Sequence, residues 1–105
     1  MIMHVVSFRW HEHVSADQIE AFTKALTALP DQIPALVSYR FGPDLGLREG
    51  NVDFGVVAVV RGEEDLPAYL DHPAHRAVVE QYTSVMAASR SAVQFALPEA
   101  EEETR

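Results

Sequence analysis

Residues 2–10 alternate: Ile2, His4, Val6, Phe8 and Trp10 share one side, with Ser7 and Arg9 on the other. That period of two predicts a first strand. Alternation returns at 36–42, where Val37, Tyr39 and Phe41 run into Gly42, and at 91–97, through Ala92, Val93, Phe95 and Leu97. Both segments read as further strands. Residues 52–61 are almost continuously apolar around Val56-Val57-Ala58-Val59-Val60. A strand of that kind expects cover on both faces.

Between these runs the period changes. Ser15-Ala16-Asp17-Gln18 forms a capping box, in which hydroxyl and amide satisfy backbone N–H groups that have no helical partner. Ile19, Phe22, Leu26 and Leu29 follow at steps of three and four, and the helix should stop near Pro30. Residues 43–51, with Pro43, Gly46 and Gly50, read as a hairpin-like loop. Glu63-Glu64-Asp65 supplies carboxylates for a second helix start, favoured by the macrodipole. One or two helical pieces then run through Ser89, broken at Pro73.

The order is therefore βαββαβ, without repeats or a splitting linker. Two crossovers in one small domain predict an α+β, ferredoxin-like antiparallel sheet with its helices on one face. The third strand is apolar on both sides, so the bare face should meet a partner sheet. The expected assembly is a homodimer, a dimeric α+β barrel. We expect one domain over 1–97 and an acidic, solvated tail over 98–105.

Composition narrows the function. The 105 residues carry a formal charge of −8 and lack a basic stripe, which argues against nucleic acid and anionic membrane surfaces. No apolar stretch reaches membrane length and no basic leader precedes the first strand, so the expected location is cytoplasmic. The absence of cysteine excludes thiolate nucleophiles and cysteine-based metal sites. Nucleotide-binding and serine-hydrolase motifs are missing, and no cofactor is expected.

The informative run is Tyr69-Leu70-Asp71-His72-Pro73-Ala74-His75. Proline suits the first turn of a helix and pushes the residue before it out of the α region. His75 begins an apolar stripe continued by Val78, Val79, Tyr82 and Met86, so its ring faces the interior. It is either a buried histidine held by one carbonyl or a general base. On an unbroken helix Tyr69 and His75 would sit about 120° apart. They share a pocket only if the Pro73 break re-aims one of them.

His4 lies on the apolar side of the first strand, and strand and helix should bring it towards His75. Tyr69, His75 and His4 are the catalytic candidates. Phe22, Leu26, Val59, Tyr82 and His72 are the candidates for lining a small apolar pocket, although a place in the core is the better reading of the first four. His11/His13 could offer two imidazoles to a metal but lack a carboxylate partner, and at His72/His75 the proline and the burial of only one ring argue against chelation, so no metal site is expected.

These residues resemble the stress-responsive A/B barrel (Dabb) family over nearly the whole chain. The marks are His4, Ile33-Pro34-Ala35, Gly42-Pro43-Asp44, Asp65-Leu66 and, most specific, Tyr69-x-x-His72-Pro73-x-His75. The resemblance implies a cofactor-free dimeric barrel. One plant member type, a polyketide cyclase, uses the tyrosine and last histidine of this run for an aldol cyclisation. Carried over, His75 abstracts a proton next to a carbonyl while Tyr69 holds or polarises the substrate. Such cyclases place an aspartate where this chain has Gln94. The alternatives are a non-catalytic stress-response or ligand-binding dimer, and a cofactor-independent oxygenase of the related barrel superfamily.

Overall fold

In the computed structural model, which describes residues 1–98, the capping box forms as the sequence requires. Gln18 N–H donates to the Ser15 hydroxyl at 3.2 Å and Ser15 N–H donates to the Gln18 side-chain oxygen at 2.8 Å. The elements are β1 (Ile2–Trp10), α1 (Ala16–Gln32), β2 (Ser38–Pro43), β3 (Phe54–Val60), α2 (Asp65–Leu70) and α3 (Pro73–Val78), then a π-helical turn (Val79–Thr83), α4 (Ser84–Met86) and β4 (Ala87–Ala96). From Glu99 onward the expected acidic tail lies outside the described residues.

The strands form one sheet in the order β2-β3-β1-β4, antiparallel at each pairing. This is the ferredoxin-like α+β arrangement. The register aligns His4 with Ala58 on β3 and Gln94 on β4, and Val6 with Val56 and Ala92. Tyr39 pairs with Ala58 and Phe41 with Val56. These positions therefore share one face of the sheet, and Phe22, Leu26 and Leu29 of α1 complete a buried core with it. Phe22 is the aromatic hub, its ring within 6.2 Å of those of Phe8, Trp10, Phe54 and Tyr82. Among the described residues no helix is long and apolar enough to cross a membrane.

Several boundaries differ from the pattern. Helix α1 continues two residues past Pro30 to Gln32. A proline in the last turn forfeits its own N–H bond only, and Ile33 N–H still reaches the Leu29 carbonyl at 2.9 Å. Strand β4 begins at Ala87, not 91, because its backbone pairs with the far end of β1 although Ala87-Ala88-Ser89-Arg90 carries little strand signal. Within and just after the π-helical turn the Thr83 and Ser84 hydroxyls donate to the Val79 and Glu80 carbonyls, at 3.3 and 2.6 Å.

The face away from the helices carries Met3, Val5, Val57, Val59 and Val93. Val59 is buried at 7% exposure, yet it stands opposite Met3 and lies outside the core cluster. Val93 and Phe95 on this face remain 55% and 46% exposed.

Candidate functional site

The break at Pro73 decides the site. Helix α2 ends with Asp71 N–H bonded to the Pro67 carbonyl at 2.8 Å, and His72 turns extended (φ −62°, ψ 136°). The His72 ring does not enter the cavity. Its Nδ1 accepts the Ala74 N–H at 3.0 Å and caps α3. The chain then restarts at a new angle, which brings the Tyr69 and His75 rings to 4.6 Å between centroids. A continuous helix would have separated them.

His75 Nδ1–H donates to the Leu70 carbonyl at 2.9 Å. The neutral ring then carries its lone pair on Nε2, the atom left to act as a base. Burial lowers the pKa of His75 and the nearby Arg90 charge works the same way, partly opposed by the Leu70 carbonyl and the Asp71 carboxylate. The imidazole is therefore neutral near pH 7.

His4 is 3% exposed on the centre of the sheet, 6.1 Å from Tyr69 between ring centroids. Gln94 Nε2–H donates to His4 Nδ1 at 2.8 Å, which fixes the neutral tautomer with its proton on Nε2. Gln94 thus serves His4, not His75, because strand register sets the two side chains directly across from each other. Burial is the main cause that lowers the His4 pKa, followed by the charge of Arg90.

Tyr69 is 1% exposed, and its hydroxyl donates to that of Tyr39 at 3.3 Å. Burial raises the pKa of both phenols, so both remain protonated donors. With the Tyr69 proton engaged, the Tyr39 O–H is the one free to point at a ligand. These groups line a cavity of about 590 Å³ with an apolar floor of Val6, Phe8, Phe22, Leu26 and Val56. Its volume lies within the range usual for small-molecule sites.

Of the residues expected in the pocket, His75, Tyr69, His4, Phe22 and Leu26 are brought together. Three are not. Val59 points to the opposite face of the sheet by strand parity, and Tyr82 packs against Phe22 in the half-buried layer outside the cavity. His72 is spent on the helix cap. Arg90 and Asp71 also line the cavity and carry no role in the sequence reading. Extending the β4 alternation back from Gln94 by four residues would have placed Arg90 on the helix-facing side. Among the described residues no cluster of three or more His, Asp or Glu is arranged to hold a metal ion.

Comparison with known proteins agrees with this architecture. An uncharacterized protein of Streptomyces coelicolor is 33% identical over 81 residues, which cover 75% of this chain and 84% of that protein. A crystal structure from Thermobifida fusca, described as a dimeric ferredoxin-like protein of unknown function, superposes with a TM-score of 0.85 at 51% identity, covering 91% of this chain and 90% of that one. A hydroxynitrile lyase from Passiflora edulis shares the fold with a TM-score of 0.80 at 16% identity, covering 93% and 94% of the two chains. The profile of the stress responsive A/B barrel domain matches residues 2–96, and with nine-tenths of its length so matched, the chain belongs to that family.

Proposed function

We propose that this protein is a small enzyme of cyclase or lyase type that removes a proton next to a carbonyl group of a largely apolar small molecule. One observation carries the reading: His75 is neutral, held by the Leu70 carbonyl so that Nε2 is its basic atom, and faces a cavity of about 590 Å³ beside Tyr69. In the proposed step Nε2 takes the α-proton, the C–H electron pair passes into the carbonyl, and the developing enolate oxygen accepts a hydrogen bond from the Tyr69–Tyr39 hydroxyl pair. Asp71 would stabilise the imidazolium formed. His4, tied to Gln94, would keep the wall beside Tyr69 polar. The lyase branch is supported by the Passiflora lyase only as far as a shared fold goes.

The protein would act as a homodimer, with Val57, Val93 and Phe95 on the helix-free face packed against a second copy. The exposure of Val93 and Phe95 and the dimeric Thermobifida fusca relative support this. A second reading, a non-catalytic ligand-binding dimer with a stress-response role, is favoured by the contacts that hold both histidine rings, His75 on the Leu70 carbonyl and His4 on the Gln94 side chain.

The test is exchange of the α-protons of benzoylacetone in D2O, followed by proton NMR with and without protein. Protein-dependent exchange above the buffer rate, lost in a folded His75→Ala variant, is expected. Ligand-induced shifts of the His75 ring without added exchange would instead establish the binder.

A further inference from the structure

Arg90 is a solvent-exposed cation on the lining of the cavity, with no part in the step above. It lies on β4 opposite Phe8, on the same face as Gln94 and His4, and lines the cavity with His75, Tyr39 and Tyr69. Among the described residues no ion pair or hydrogen bond holds its guanidinium. Its charge nevertheless reaches both histidines. On the helix side of the rim Arg76 stands with Asp71 and Glu80, so charges there are mixed. Among the described residues, those lining the sheet side beside Arg90 include no carboxylate.

The Arg90 charge, solvent-exposed and without a partner among the described residues, disfavours the imidazolium that His75 must become. Such a cost is reasonable if the charge is matched by the ligand. A guanidinium presents planar, paired donors that suit a carboxylate, and such charge-assisted bonds are among the stronger ones available. The apolar floor accommodates a ring or acyl chain, while the Tyr39 hydroxyl and His75 Nε2 serve a carbonyl and its neighbouring C–H.

We propose that Arg90 selects the ligand: the cavity takes an acyl compound bearing a carboxylate near its reactive carbonyl, a 3-oxo acid, in preference to a neutral ketone or ester. The inference rests on the reading of His75 as the group facing the carbonyl. Arg90 anchors the carboxylate, leaving the methylene between the two carbonyl carbons beside His75. Removal of its proton adds negative charge within reach of the same guanidinium, so the arginine offsets the repulsion between carboxylate and enolate.

The test uses benzoylacetate and its neutral methyl ester as probes, with affinity read from the 1H–15N signals of the His75 ring in the full-length protein. The wild type should bind benzoylacetate at least about ten-fold more tightly than the ester. Arg90→Gln should abolish that preference and leave ester binding within about two-fold. Arg90→Lys, which keeps charge but not the planar fork, should retain part of it. Equal affinity in the wild type, or a preference that survives Arg90→Gln, overturns the role of Arg90 and leaves the His75 site intact. If neither probe disturbs the His75 ring, the carbonyl-binding reading falls and this inference with it.

Discussion

Replacement of His72 separates architecture from ligand contact. The sequence places this ring in the pocket, whereas the structure uses Nδ1 to accept the Ala74 N–H at 3.0 Å and start α3. His72→Ala deletes that acceptor while Pro73 keeps the chain break. Loss of a side-chain N-cap costs about 1 kcal/mol. In a domain of roughly 100 residues that corresponds to a fall in Tm of about 4–8 °C. His72→Asn supplies another good capping oxygen and should restore most of the loss.

The structural consequence is larger than the energy suggests. An unbroken helix would put Tyr69 and His75 about 9 Å apart along the axis and about 120° apart around it. Their ring centroids are 4.6 Å apart here. Loosening the cap should therefore disorder the His75 ring before the domain melts. Circular dichroism melts of the wild type and of the His72→Ala and His72→Asn variants, paired with benzoylacetate titration of the His75 ring, give the answer. An unchanged Tm in His72→Ala would refute the cap. If His72→Asn restored the Tm but not the affinity, the histidine would touch the ligand after all.

Other outcomes follow from the same geometry. His4 and His75 have pKa values lowered by folding, so in acid the unfolded chain binds more protons than the native one. Stability should be complete above the ordinary histidine pKa near 6.5 and fall as the pH drops below it through the native values. Urea titrations from pH 8 to 5 check this, and a His4→Phe variant should show a shallower decline. Gln94→Glu should raise the His4 pKa, because a carboxylate favours imidazolium where the amide does not; an unmoved His4 titration by NMR would refute their contact. Phe22→Ala should cost about 3–5 kcal/mol in urea unfolding, since the ring is 1% exposed and meets four aromatic neighbours. Val93→Asp should yield monomer in analytical ultracentrifugation with the fold retained; an unchanged dimer would remove the helix-free face as the interface.

The chain's own periodicity determined most of the fold. Alternation fixed the face of β1, and the capping box fixed the start of α1, because both depend on neighbours within a few residues. The order βαββαβ then left few topologies, and the Pro73 break between Tyr69 and His75 was legible because proline acts on its immediate neighbours. Only the tertiary structure decided where that break sends each ring. It set His72 on the cap, Tyr69 against Tyr39 thirty residues earlier, and His75 on the Leu70 carbonyl. Strand register across ninety residues matched Gln94 with His4, and parity carried Val59 away from the cavity while β4 carried Arg90 into it. Local pattern specifies which face a side chain takes within its element. Which groups meet across elements depends on register and the angle of packing, and no short stretch of sequence contains either.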